Sequence, residues 1–182
     1  MIYIAVLVFI IMLITAFWQG SLLWATIIGS PIVYSNPKAV EDCLALAKAK
    51  KGETVVDLGC GNAKTLIHMA RKFVVKGVGV DRSLFCALRA RMNVTLSGQS
   101  KNIKIIRGDF KSAERYLKKA DIVYLYLLNT TLAQIEDWLF DIIGDKTRIV
   151  SLAFQFKNHK PVAEVETYTL RQKTKARLYG RR

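Results

Sequence analysis

The chain opens on a long apolar run and then breaks into short alternating blocks. From Met1 to Pro37 there is no charged residue, and Ile2 to Phe17 is almost wholly apolar. After Gly20 and Ser21 the apolar character resumes through Ile28. A helix that crosses a bilayer needs about 20 such residues. No basic residue precedes the run, and it is longer than the apolar core of a cleaved leader. It has no polar face by which a soluble helix would meet water. The pattern predicts one uncleaved transmembrane helix, with Trp18, Trp24 and Tyr34 placed for a membrane interface. Lys38, Lys48, Lys50 and Lys51 follow the span and no cation precedes it. The positive-inside rule then puts the region after the span in the cytoplasm.

Past Pro37 the periodicity changes. Ser35 or Asn36 with Pro37 predicts a helix start. Val40, Cys43, Leu44 and Ala47 share one face of that helix, which runs to about Lys50. Strands are predicted at about Thr54–Asp57, Gly77–Val80, Ile103–Arg107, Ile122–Leu127 and Thr147–Phe154. Between them lie a helix at Ala63–Lys72 with Leu66, Ile67 and Ala70 inward, and a helix capped by Ser83. The second carries Leu84, Ala87, Leu88 and Met92, with Arg89 and Arg91 on its exposed side. A short helix at Lys111–Lys119 and an amphipathic one at Thr131–Ile143, closed by Gly144, complete the set. Val162–Leu170 and Lys175–Tyr179 read as a β-hairpin. Five strand–helix repeats imply a parallel sheet with helices on both faces, and the hairpin adds two strands, one antiparallel. The fold class is therefore α/β: a Rossmann-like seven-stranded, mostly parallel sheet with a C-terminal β-hairpin, preceded by one transmembrane helix. The division is 1–30 for the anchor and 31–182 for the globular domain.

Charge and cysteine content narrow the partners only partly. The 182 residues carry a net charge of +14. Such a balance suits nucleic acid, an anionic membrane surface or acidic proteins, and by itself does not choose among them. After Leu170 come Arg171, Lys173, Lys175, Arg177, Arg181 and Arg182 with no acid. That run fits anionic headgroups or a solvated hairpin edge. Cys43, Cys60 and Cys86 are isolated, and with two histidines they form no zinc spacing. No metal is expected, and the cysteines read as reduced packing residues of a cytoplasmic domain. His68 reads as a solvated or partly buried histidine.

The candidate chemistry centres on ETVVDLGCGNAK, residues 53–64. Thr54, Val55 and Val56 suit a strand buried on both faces. Gly59 and Gly61 allow a tight turn against which a ligand can lie, and Asn62 is placed to cap the next helix. A dinucleotide fingerprint would have a third glycine where Lys64 stands. Asp57, two residues before the first glycine, disfavours a pyrophosphate and favours a cationic ligand. S-adenosylmethionine (SAM), with its sulfonium and α-ammonium beside an adenosine, is such a ligand. Asp81 ends the strand KGVGVD about twenty residues on, where an acid can bind ribose hydroxyls. The plainer reading is an ordinary βα turn with incidental glycines.

VVDLGCGNAKTL, GVGVD and IIRGDF resemble motif I, the ribose-binding acidic strand end and the adenine-side loop of class I, seven-β-strand SAM-dependent methyltransferases. The resemblance runs from about Ser35 to the C-terminus. It implies that Asp57, Gly59 and Gly61 approach the methionine part of SAM, with Cys60 and Asn62 in the same turn. It places Asp81, with Arg82 beside it, at the ribose, and Asp109 and Phe110 at the adenine. Many members carry an acid and a glycine where Asn62 and Ala63 stand here.

The segment after strand four points to the substrate. VYLYLLNTTL has no proline, unlike the Asn/Asp-Pro-Pro-aromatic loop of many enzymes of this fold that methylate nucleic-acid amines. With YSNPKAV and VSLAFQF it resembles the small protein lysine methyltransferases that include archaeal enzymes and the ATP synthase c-subunit enzyme. That resemblance implies a lysine side chain of a membrane-associated protein as substrate, and nucleic acid is not expected. Tyr124, Tyr126, Phe154 and Phe156, with Tyr34, are the candidates for a dry aromatic channel that favours a neutral amine. Alternation puts each pair of aromatics on one face, although core packing accounts for any one of them. Asn129 is placed to orient the amine, and no residue stands out as a general base. The rival readings are a methyltransferase of a lipid or quinone, one of RNA, and a SAM-binding module without catalysis.

Overall fold

The computed structural model describes residues 2–28, 35–170 and 172–180, with the side chains of 21–28 excepted. The side chain of Trp24 and the residues Pro31–Tyr34, Arg171, Arg181 and Arg182 lie outside the described residues. The chain divides into two compact units, Met1–Val33 and Tyr34–Arg182.

The first unit is helix α1, Ile2–Ile28. Its segment Ile2–Gly20 is long and apolar enough to cross a membrane, and its side chains are exposed. The Thr15 hydroxyl donates to the Met12 carbonyl at 2.9 Å, so that polar group is satisfied within the helix.

The second unit follows the βα alternation. Its helices are α2 (Pro37–Leu46), α3 (Lys64–Phe73), α4 (Leu84–Leu96), α5 (Glu114–Leu117) and α6 (Asn129–Ile142). Its strands are β1 (Thr54–Leu58), β2 (Lys76–Asp81), β3 (Ile103–Arg107), β4 (Ile122–Leu125), β5 (Arg148–Leu152), β6 (Ala163–Tyr168) and β7 (Lys173–Gly180). They form one seven-stranded sheet in the order β3-β2-β1-β4-β5-β7-β6. The first five strands are parallel, and β7 runs antiparallel to both β5 and β6. The order reverses between β1 and β4, so the crevice at their carboxyl ends is where an open sheet of this kind holds a ligand.

Strand alternation divides the core. Val55 faces a cluster with Leu44 of α2, Leu66 of α3 and Ala87 of α4. Val56 and Leu58 face another with Leu117 of α5 and Leu132 and Leu139 of α6. Helices α2–α4 therefore cover one face and α5–α6 the other.

Several boundaries differ from the expected ones for local reasons. Helix α2 stops at Leu46, before Lys50, because Lys48 turns left-handed at φ 51° and Ala49 N–H reaches back to Leu44 O at 2.9 Å. The Arg148 guanidinium seals that end, donating to the Ala47 carbonyl at 2.6 Å and pairing with Glu53 at 2.6 Å. Strand β4 ends at Leu125, and β5 ends at Leu152 because Ala153 turns left-handed at φ 67°. Gly144 is not the cap of α6: Ile143 turns extended and buries its own side chain. Helix α4 exposes Arg89 and Arg91 as expected, but of its expected apolar residues only Ala87 turns inward. Cys86, Ala87, Ala90 and Val94 are buried, while Leu84, Leu88 and Met92 are exposed.

Val74 ends α3 in the left-handed region, at φ 55° and ψ 39°, with its side chain exposed. A β-branched residue there carries a backbone cost of about 1–2 kcal/mol. Val74→Asn should therefore stabilise the full chain in detergent by about 1 kcal/mol, read as a higher unfolding midpoint. An unchanged or lowered midpoint would contradict the strain.

Candidate active site

Glycine geometry builds the first wall. Gly59 sits at φ 87° and Gly61 at φ 53°, conformations that side chains avoid. A Cβ on Gly59 would meet Leu127 at 3.0 Å, so the segment after β4 closes directly on the turn. The N–H groups of Gly59 and Cys60 both donate to the Val80 carbonyl, at 2.8 and 3.0 Å. Cys60 is buried, and burial pushes its thiol up, which leaves it a packing residue. Its sulfur would lie 2.7 Å from a Cβ on Gly79, so β2 needs glycine there for the turn to pack down.

Two carboxylates face this turn. Asp81 accepts the Gly61 N–H at 2.9 Å through one oxygen and the Ser83 N–H at 2.9 Å through the other. Burial raises it above the ordinary carboxylate range in spite of those two bonds. Asp57 is buried in β1, in register with Gly79 of β2 and Tyr124 of β4. Burial first, and the Asp81 charge second, push Asp57 up to about 7.

Asn62 is buried, and its Oδ1 accepts the Lys64 N–H at 3.2 Å, while Ala63 holds the N-cap position at φ 61°. The expected cap is thus displaced by one residue. Ala63 adopts the left-handed backbone that glycine would take more easily. The Asn62 Nδ2 is a buried donor with no hydrogen-bond partner among the described residues.

The remaining predicted residues fall into two groups. Gly108 N–H donates to the Asp81 carbonyl at 3.0 Å, which brings Asp109 and Phe110 to the same end of the sheet. Asp109 is exposed and caps the short 3-10 turn Phe110–Ala113, accepting the Ser112 N–H at 3.1 Å. Phe110 is half-buried, and Arg82 is exposed. On the other side of the switch point, Tyr126 and Phe154 are half-buried, with ring centroids 6.0 Å apart. Tyr124 is fully buried behind them, its hydroxyl 3.0 Å from Ser35 Oγ at the start of α2. Burial holds its phenol well above the usual range. Phe156 does not join that pair. The chain leaves the strand at Leu152, and Phe156 is buried in the cluster that Phe154 borders, across the sheet from Tyr124, against Phe140 and Tyr179 at 5.1 and 4.9 Å. Asn129 Oδ1 accepts the Gln155 N–H at 3.3 Å, which ties the start of α6 to the loop after β5. His68 pairs with Glu41 of α2 at 3.1 Å.

Glu136 is the residue that pattern reading missed. It is buried on α6 and accepts the N–H groups of Lys157, Asn158 and His159 at 3.1, 2.7 and 2.9 Å. The His159 ring adds a contact at 2.8 Å. Burial works to raise the Glu136 carboxyl, and these bonds outweigh it and hold it below the ordinary range. One acid thereby fixes the loop that carries Phe154. The available signal was an acid on the inward stripe of α6, between Leu132 and Leu139.

This donor set fits SAM. Two carboxylates of raised affinity for protons invite a cation and a diol, the glycine turn leaves room beside backbone, and a buried amide lacks a partner. Among the described residues no cluster of three or more His, Cys, Asp or Glu is arranged to hold a metal.

Known proteins resemble the chain over this region. The profile of the ANTKMT methyltransferase domain matches residues 57–163. A protein-lysine N-methyltransferase of Saccharolobus islandicus is 30% identical over 139 residues, 75% of this chain and 85% of the relative. An RNA methyltransferase from Salinibacter ruber, solved with S-adenosyl-L-homocysteine, superposes with a TM-score of 0.70 at 25% identity. That match covers 78% of this chain and 89% of that one. A SAM-dependent methyltransferase from Geobacter sulfurreducens shares the fold, with a TM-score of 0.52 at 24% identity, covering 65% of this chain and 50% of the other.

Asp57 sets a pH dependence. Its folded value is raised, so between the ordinary value of about 4 and about 7 the folded state keeps a proton that the unfolded chain has lost. The stability it contributes is full at acid pH and is lost as pH rises through about 7. Asp57→Asn should flatten this fall, which is worth about 2–4 kcal/mol, in denaturation measured across that range. The same variant should abolish the thermal shift given by SAM; a retained shift would place the cofactor elsewhere. Glu136→Ala should cost about 2–4 kcal/mol and expose Lys157 to trypsin. An intact loop in that digest would deny Glu136 its role.

Proposed function

The chain belongs to the family of ANTKMT methyltransferase domains and is a SAM-dependent methyltransferase, and on that premise we propose that it methylates lysine side chains of membrane-associated proteins. In this reading residues 1–30 anchor the chain in a bilayer, and the catalytic unit, residues 31–182, works on the cytoplasmic side. The lysine specificity of the Saccharolobus islandicus relative supports the substrate. The observation that carries it at this site is the half-buried pair Tyr126–Phe154, one residue from the leucine that lies over Gly59.

Each residue then has a task. Asp57 and Asp81 hold the cationic and diol portions of the cofactor, and Phe110 offers the adenine an apolar contact. When bound, SAM would supply an electrophilic sulfonium methyl for transfer to the amine nitrogen, the N–C bond forming as the C–S bond breaks and the sulfur leaves as the neutral thioether of S-adenosylhomocysteine. Tyr126 and Phe154 exclude water from the approach, which favours the uncharged amine that the displacement needs. Asn129 and the Glu136-pinned loop hold that approach in place. Alignment of the amine about 3 Å from the methyl supplies much of the rate, so no general base is required. The proton released by the methylated amine passes to solvent.

The full chain, incubated with labelled SAM and membranes and followed by mass spectrometry, should place the label on lysines of membrane proteins. Tyr126→Ala should lower kcat/KM about 10-fold while the SAM-induced thermal shift stays. Label confined to lipid would overturn the reading. A second reading, RNA methylation, is favoured by the Salinibacter ruber neighbour and the charge of +14. RNase-sensitive label would select it.

A further inference from the structure

Helix α4 presents its large apolar side chains to the outside. Leu84, Leu88, Met92 and Leu96 are 49%, 53%, 54% and 79% exposed, while the small residues Cys86, Ala87 and Ala90 pack on the sheet. The four recur at intervals of one helical turn and form a single stripe. At about 100° per residue, Leu84, Thr95, Leu88, Met92 and Leu96 share an arc of about 120°. Arg91 borders one side of that arc and Arg89 the other, both exposed. From Arg82 to Gly108 there is no Asp or Glu, and Arg82, Lys101, Lys104 and Arg107 are exposed cations.

We propose that this stripe docks α4 along the headgroup–acyl boundary of a bilayer that carries anionic lipid. An apolar arc flanked by arginines is the form of a helix that lies in an interface: the leucines and methionine enter the acyl boundary, and the guanidinium groups rise to the headgroups. The acid-free stretch from Arg82 to Gly108 complements a negative surface. The occupant is lipid because the chain carries its own bilayer contact in α1. Residues 29–36 join α1 to α2, and fully extended they reach about 28 Å. A unit tethered so closely meets the surface at high effective concentration. Asp81 and Ser83 immediately precede α4, so docking brings the cofactor end of the sheet to the headgroups, where lysines of membrane proteins emerge. The inference rests on α1 spanning the bilayer, as proposed above.

The test uses the full chain in nanodiscs of phosphatidylcholine with a quarter phosphatidylserine. Cys43, Cys60 and Cys86 are free and buried, so a thiol fluorophore reports selectively on Leu88→Cys. Ile10→Cys in α1 and Gln134→Cys on α6, across the sheet, serve as references. Doxyl lipid should quench position 88 at least about two-fold and shield it from iodide, while position 134 stays open to iodide. Iodide access at 88 equal to that at 134 overturns the proposal. So does shielding that follows protein concentration or added RNA instead of lipid, which would assign the stripe to a second copy or to nucleic acid. Position 10 separates the two readings: quenching at 10 with an open 88 rejects docking and leaves the anchor, and no quenching at either rejects both.

Discussion

Asp57 and Asp81 lie at the carboxyl ends of adjacent parallel strands beside one glycine turn, and burial, with the Asp81 charge added to it, makes the charge on Asp57 hard to hold. The rest of the cofactor end follows from keeping them there. The register of β1 and β2 sets Asp57 beside Gly79 and Leu58 beside Val80, whose carbonyl then takes two N–H groups of the turn. Gly79 lacks a side chain where Cys60 and Leu66 must pack. Gly61 points its N–H at Asp81, and Ala63 bends left-handed to start α3. The site thus carries an electrostatic cost and a backbone cost together. A ligand that brings positive charge relieves the first.

The substrate end is held by different means. Sheet register carries the chain only to Leu125 and Leu152, and the aromatic pair lies beyond both strands. What positions it is a side chain: Glu136 gathers the loop after β5 from below, and Asn129 holds it from the start of α6. In the proposed reading, cofactor and substrate contacts are therefore set by separate constraints. The loop can change in sequence without disturbing the turn, provided an acceptor remains at Glu136. This is the usual division of labour in folds that place function on loops over a rigid sheet.

Periodicity and turn chemistry made most of the fold legible. Asn36 with Pro37, Ser83 before α4, and the βα alternation all stand where their residue types require. The glycine turn was legible for the same reason, because Gly59, Gly61 and the strand positions of Asp57 and Asp81 are set by the backbone. The failures have two physical sources. Strand ends at Ala153 and helix ends at Lys48 depend on left-handed turns made by residues that do not announce them. Side-chain roles such as that of Glu136, or the burial of Phe156 away from Tyr126, depend on where a loop folds back. Helix α4 failed differently: it carries two apolar stripes, and spacing alone does not say which one meets the sheet.

The resolution of α4 follows from packing. Cys86, Ala87 and Ala90 let the helix approach the sheet closely, as large side chains on that face would not. The larger residues are left outside, arranged as one stripe with Arg89 and Arg91 at its margins. In a freely diffusing protein such a stripe is an aggregation hazard. If α1 spans a bilayer, as proposed, the stripe has a second solvent to enter. The same exposed leucines that look misplaced against water are consistent with a unit whose working surface is the boundary between water and lipid.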